Sequence, residues 1–256
     1  MSRRVVWFSC GAASAIAAKL AVDRYGSECE VVYCDTMASE HPDNARFFAD
    51  VERLIGRAIT VIRSERYATI DDVFERTRYM AGIAGARCTT EMKKLPRESW
   101  QQPSDVHIFG YTREETKRAA DFEENNPGIH VEWLLIDAGV SKRQCLEMLS
   151  TFGIALPEMY AIGFDHNNCT GCVKATSPGY WNRTRRHFPE VFARRAHQSR
   201  LIGARLVRIR LPGDPPSKDA PRHFLDELPP DSDAPDDDIE CGPACQTSFA
   251  WLESSP

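Results

Sequence analysis

Five short apolar runs recur along the first 136 residues: 4–9 (RVVWFS), 30–34 (EVVYC), 58–62 (AITVI), 106–110 (VHIFG) and 130–136 (HVEWLLI). Each is rich in β-branched and aromatic residues and reads as a buried strand. Helical periodicity fills the gaps. In 42–56, Ala45, Phe48, Val51, Leu54 and Ile55 recur at helical spacing behind Pro42, which suits a first helical turn. Residues 69–80, 91–101, 112–125, 141–152 and 188–203 carry the same pattern, and a helix-like small-residue run follows the first strand. Strands alternating with helices predict a doubly wound α/β domain, a mainly parallel sheet with helices on both faces.

The polar positions set a boundary. Between 181 and 210 nine arginines face one acid, Glu190; between 214 and 240 ten acids face Lys218 and Arg222. The switch in sign, with the Pro/Asp density of 212–238, divides the chain near 211. Residues 1–210 are expected to form the α/β domain and 211–256 an irregular linker and tail. No internal repeat is visible. At 42% hydrophobic, the 256 residues supply a sizeable core, and the net charge of −5 hides the local asymmetry. No run approaches the ~18 apolar residues of a membrane span. Met-Ser-Arg-Arg leads into a strand and not into a signal-peptide core, so a cytoplasmic protein without membrane contact is expected.

Nine cysteines (10, 29, 34, 88, 145, 169, 172, 241 and 245) are too many and too odd in number for a disulfide framework in such a chain. Cys29 and Cys145 read as packing or surface residues. Cys169 and Cys172 form a C-x2-C pair, whose gap lets two thiolates point at one metal. The same pair fits half a zinc site, half an iron–sulfur site or a redox couple.

The stretch Ser9-Cys10-Gly11-Ala12-Ala13-Ser14 is a small-residue turn between the first strand and a helix. Such turns let backbone N–H groups approach an anion, and the helix N-terminus adds positive potential. Asp35 and Thr36 follow the second strand, at the same carboxyl edge where open α/β sheets bind ligands. A tight packing turn and a helix-entry cap are the plain alternatives.

Together these segments resemble the PP-loop adenine-nucleotide superfamily, and within it the phosphoadenosine phosphosulfate (PAPS) and adenylyl sulfate reductases. Residues 9–14 resemble the S-G-G-x-D-S loop. CDTMASEHPDN (34–44) resembles the D-T-G…F-P-E-T segment. ARCTTEMKKLP (86–96) and FGYTREETKR (109–118) resemble the family's C-T-x-x-x-K and G-x-R-x-x-Q/E segments. The likeness runs in order from about residue 4 to 185. It implies adenine-nucleotide contacts (ATP, PAPS or adenylyl sulfate) from residues 9–14, Asp35, Thr36, Lys93, Gly110, Tyr111 and Arg118, with Lys94 and Arg113 as further cations. Two departures stand out. Cys10 occupies a glycine position, and Ala13 replaces the acid that helps ATP-splitting relatives organise pyrophosphate.

The resemblance also implies a 4Fe–4S cluster on Cys88, Cys169 and Cys172. Cys88 lies 81 residues before Cys169, and the family's tandem Cys-Cys is here Arg87-Cys88. A fourth ligand is then uncertain: Cys10 or Cys34 supplies it, or one iron stays open, as in PP-loop thiolating enzymes. Zinc and no metal remain alternatives. Glu240-Cys241-Gly242 resembles the E-C-G tail of sulfonucleotide reductases, whose cysteine is the nucleophile; Cys245 is a potential resolving thiol.

Three functions follow. The leading expectation is a PAPS reductase-like enzyme that uses Cys241 and a thioredoxin-like reductant. The second is ATP-dependent thiolation of tRNA or DNA, with the arginine-rich 183–210 stretch on the nucleic acid. The third is a non-catalytic nucleotide or redox sensor. For 188–203 the plain alternative is an amphipathic helix, with Phe188, Val191, Phe192 and Ala196 inward and Arg194 and Arg195 outward.

Overall fold

Strand β1 (Arg4–Phe8) is buried over its last four residues, the signature of a central strand with both faces covered. Its side chains alternate: Val6 and Phe8 enter one core, Val5 and Trp7 another. A computed structural model describes residues 2–82, 85–214 and 219–234. In it β1 pairs in parallel with β2 (Cys29–Cys34) and with β6 (Val106–Phe109). Strands β3 (Thr60–Ile62) and β7 (His130–Glu132) extend the sheet outward, also in parallel. The order β3-β2-β1-β6-β7 reverses direction at β1, so a crevice opens between the carboxyl ends of β1 and β6.

Helices cover both faces. Helix α1 (Ala12–Tyr25) lays Ala15, Ile16, Ala17, Ala18 and Ala21 onto the sheet, small residues that permit close approach. Helix α2 (Asn44–Ile55) adds Phe47, Val51 and Ile55 to that face. Helix α3 (Ile70–Thr77) is closed by a reciprocal Thr69–Asp72 capping box and leads into a short hairpin, β4 (Ala81–Gly82) and β5 (Gly85–Ala86). Helix α4 (Arg87–Thr89), a π-helical turn over Thr90–Lys94 and α5 (Leu95–Trp100) follow without interruption. Helix α6 (Thr116–Asn125) supplies Ala119 and Phe122 to the opposite face. Helices α7 (Leu134–Asp137) and α8 (Lys142–Thr151) return to the α1 face with Leu134, Leu135, Cys145 and Leu149.

A third core lies beside the sheet. It gathers α3, α4, α10 (Pro178–His187), α11 (Pro189–Ile202) and the antiparallel pair β8 (Val207–Arg208) and β9 (Arg222–His223). A one-turn helix, α9 (Glu158–Ala161), precedes the C-x2-C segment.

Two expected elements differ. The run 130–136 is a strand only to Glu132; Trp133 breaks it, and Leu134–Asp137 turns helical to bury Leu134 and Leu135. The Pro/Asp-rich segment, read as irregular, is tied to the body over 219–234. Leu225 and Leu228 are buried, and Asn182 Nδ2 donates to the carbonyls of Pro229 (2.9 Å) and Ser232 (2.6 Å). Three apolar side chains, Phe224, Leu225 and Leu228, outweigh the prolines around them. Among the described residues no helix is long and apolar enough to cross a membrane.

Candidate functional site

The turn after β1 is held by its own hydroxyls. Ser14 Oγ donates to the Gly11 carbonyl (2.9 Å) and accepts from the Ser9 amide (3.1 Å) and the Ser9 hydroxyl (3.2 Å). Cys10 stands in the left-handed region at φ 56, costing about 1 kcal/mol for a residue with a Cβ. That conformation accounts physically for the glycine at this place in the motif it resembles. Gly11 caps α1 with no side-chain hydrogen bond, leaving the helix end to the backbone and to Tyr160, whose hydroxyl accepts from the Ala12 amide at 3.4 Å. Gly110, past the end of β6, presses on the turn. A Cβ there would lie 2.6 Å from the Ser14 amide nitrogen and 2.9 Å from the Ala13 carbonyl carbon. The turn and Gly110 therefore meet at the crevice between β1 and β6.

A buried polar network underlies the turn. The Glu40 carboxylate accepts from Tyr33 Oη (2.9 Å), Thr36 Oγ1 (2.6 Å) and Asn44 Nδ2 (2.7 Å). Asn167 Nδ2 donates to Asn44 Oδ1 (2.8 Å) and to the Cys10 carbonyl (2.6 Å). Burial, then the Glu40 charge, pushes the Cys10 thiol well above its ordinary value, against the pull of Lys93. The same two causes keep the Tyr33 phenol protonated. Thr36 is thus turned inward to Glu40. Asp35 accepts from the Met37 amide (3.1 Å) and pairs with Arg63 (2.7 Å) at the rim.

Buried cations complete this edge. Lys93 and Lys94 lie on the π-helical turn, both under a tenth exposed. Cys34 Sγ donates to the Lys93 carbonyl (3.6 Å); burial raises this thiol to about 12 although Lys93 and Arg97 oppose it. Past β6, Tyr111 stacks on Trp133 with centroids 4.9 Å apart, and the Arg118 guanidinium lies 4.0 Å over Tyr111 while bonding Glu115 at 2.6 Å. Residues 9–14, Asp35, Thr36, Lys93, Gly110, Tyr111 and Arg118 therefore all follow or flank carboxyl ends of the strands.

Cys88, Cys169 and Cys172 share the third core. The C-x2-C turn is docked on the short turn Met37–Ser39 after β2 by Thr170, whose amide (3.0 Å) and hydroxyl (3.2 Å) donate to the Ser39 carbonyl. Tyr180 accepts from the Cys172 amide at 2.7 Å. Gly171, at φ 65, is a required glycine: a Cβ would meet Val191 at 2.7 Å. Arg195, expected outward, is buried. It bonds the Gly171 carbonyl (3.3 Å), Gln198 (2.7 Å) and Asp71, because the third core wraps α11 on the side that a two-sided helix pattern leaves to water.

Among the described residues no three Cys, His, Asp or Glu side chains are gathered as one metal ion requires, and no disulfide joins the described cysteines. Cys10 and Cys34 do not converge. Cys10 packs into the core on one face of the sheet and Cys34 into the core on the other. Cys29 and Cys145 are core packing residues, their thiols raised by burial to about 11 and about 12. Cys241 and Cys245 lie outside the described residues.

Glu40, Asn44, Tyr160 and Asn167 are not singled out by sequence reasoning, although three of them lie in the quoted 34–44 segment or beside Cys169. The only signal is polar residues next to motif positions. No family model matches this chain, and no curated protein matches it.

Proposed function

We propose that the chain is an enzyme that binds an adenine nucleotide or sulfonucleotide at the Ser9–Ser14 turn and performs sulfur chemistry with a cysteine thiol. One observation carries the reading. Asn167, two residues before Cys169, bonds the Cys10 carbonyl, which joins the turn proposed to bind the anion directly to the C-x2-C segment. The α1 N-terminus in the crevice, which receives no side-chain cap from Gly11, supplies electrostatic attraction for a phosphate, and Lys93 and Arg118 add charge.

The thiols at the turn are poor nucleophiles, since burial holds Cys10 and Cys34 protonated. Attack is assigned to Cys241. Its thiolate forms a bond to the sulfonate sulfur, the sulfur–oxygen bond breaks, and the nucleotide leaves with its phosphate oxygen. A thioredoxin-like dithiol then reduces the S-sulfocysteine, releasing sulfite and becoming a disulfide. The chain enters its tail at Ala234, whose carbonyl accepts at 3.1 Å from the hydroxyl of Ser177, the α10 N-cap five residues after Cys172.

Thiolate chemistry suits a 4Fe–4S cluster, which Cys88, Cys169 and Cys172 would hold and which would supply redox or sulfur-binding capacity. The side chains as placed are not gathered for it, so no step is assigned to it. The test is sulfite release from PAPS or adenylyl sulfate with a thiol donor. Turnover lost in Cys241→Ser, with nucleotide binding retained, supports the proposal. Sulfur transfer that needs ATP and ignores Cys241→Ser overturns it.

A further inference from the structure

Away from the turn, a cleft of about 510 Å³ is lined by Arg78, Arg205, Arg208 and Arg222 together with Tyr79, and among the described residues no acid lines it. The flanking carboxylates are held elsewhere: Asp214 by His223 (3.0 Å), Asp226 and Glu227 by Arg200 (2.8 and 2.9 Å). Most helical arginines of 183–200, by contrast, are committed to partners within the protein, while Arg186 is exposed. Arg195 is buried, Arg194 pairs with Asp71 (3.3 Å), and Arg185 caps the Leu228 carbonyl (2.8 Å).

Backbone strain marks the same place. Among the described residues only Cys10 and Arg78 are non-glycine residues at positive φ. Such strain persists where surrounding structure imposes it, and it clusters at functional sites. Arg78, at φ 53, ends α3 and bonds the Leu201 carbonyl at 2.6 Å, which leaves further guanidinium N–H groups for a ligand.

We propose that this cleft binds the phosphodiester backbone of a single-stranded nucleic acid. Three guanidinium groups, those of Arg78, Arg205 and Arg208, spread along an open cleft exceed what one phosphate can neutralise and match a ligand of repeating charge. Guanidinium forks pair with phosphate oxygens in bidentate fashion, and Tyr79 offers a ring on which a base can stack. Strand β4 forms one wall, and the Met80 carbonyl beside it accepts from the Arg87 amide at 3.0 Å, next in sequence to Cys88. The binding itself does not depend on what the Ser9–Ser14 turn holds.

The test is fluorescence anisotropy of the full chain with a fluorescein-labelled 12-nucleotide single strand, as RNA and as DNA. Three phosphate contacts predict binding about 18-fold weaker at 200 mM than at 50 mM salt. Arg205→Ala/Arg208→Ala is expected to bind at least about 10-fold more weakly and to lose only about 3-fold over the same salt range. Arg78→Gly suits its backbone and is expected to weaken binding with a melting temperature within about 2 °C of wild type. Arg194→Ala, outside the cleft, is expected to bind normally. Absence of binding at 50 mM salt, an unaltered double variant, or equal competition by polyglutamate of matched charge overturns the proposal.

Discussion

The closest backbone approach in the candidate site sets the sharpest prediction. In Gly110→Ala the new methyl would sit 2.6 Å from the Ser14 amide nitrogen and 2.7 Å from its Cα, roughly 0.8 Å short of an ordinary contact. Both neighbours are main chain in the first turn of α1, so no rotamer change relieves the clash. Either β6 or the turn must shift. Overpacking of this kind costs about 1–3 kcal/mol. For a chain of this size that lowers the melting temperature by about 3–10 °C. The turn is also the proposed nucleotide contact, so affinity for an adenine nucleotide is expected to fall at least about 10-fold. Thermal denaturation reads the first effect and calorimetric titration the second. Gly128→Ala is the control, since nothing lies within 4 Å of the place its methyl would take. If Gly110→Ala melts with wild type, the packing account of the crevice is wrong, whatever binds there.

Further outcomes follow from individual groups. His107 accepts from Trp7 Nε1 at 2.9 Å, and burial, then Arg97, lowers its pKa from 6.5 to about 4. The folded state refuses a proton that the unfolded chain takes up, so stability is lost as pH falls from 6.5 towards 4. Against His107→Gln, wild type should lose about 2–3 kcal/mol more between pH 7 and 4.5 by urea denaturation, and equal losses would refute this. Arg195→Met strips the partner from Asp71 and the Gly171 carbonyl and should cost about 3 kcal/mol while making Cys169 and Cys172 more reactive to a thiol reagent. A change under about 0.5 kcal/mol would contradict the clamp. Cys10→Gly should alter stability by no more than about 1 kcal/mol, relief of strain offsetting lost burial, whereas Cys10→Val should lose more than about 2 kcal/mol. Equal effects of the two would show that the left-handed backbone is not what constrains position 10.

Local patterns are legible wherever one period dominates. β1, β2 and β6, flanked by turns and continuous in apolar character, match the expected strands to within a residue. Of the α2 stripe, Val51 and Ile55 are buried and Phe48 and Leu54 partly so, whereas Ala45 is exposed and Phe47, outside the stripe, is buried. The run 130–136 misleads past Glu132 because a short apolar stretch has no period to separate strand from helix; burial of Leu135 against α1's face decides it. Tertiary partners are illegible for a simpler reason. Arg195 meets Asp71 across 124 residues, and Asn167 meets Cys10 across 157. No local periodicity encodes such pairs. The arginine-rich text likewise reads as one surface, whereas folding commits most of its helical half to intramolecular partners and joins Arg205 and Arg208 to Arg78 and Arg222.

The anchorage at Ala234 has a quantitative consequence. Gly179 admits that segment because a Cβ there would collide with the Ala234 carbonyl oxygen. Cys241 comes seven residues later. Covalent geometry alone then confines its Cα to within about 25 Å of a fixed point at the first turn of α10. One thiol in a sphere of that radius is present at about 25 mM on average. A dissolved thiol must approach that concentration before it competes with the chain's own, and diluting the protein leaves the figure unchanged. A side chain at position 179 would displace the origin of that sphere without touching the cysteine.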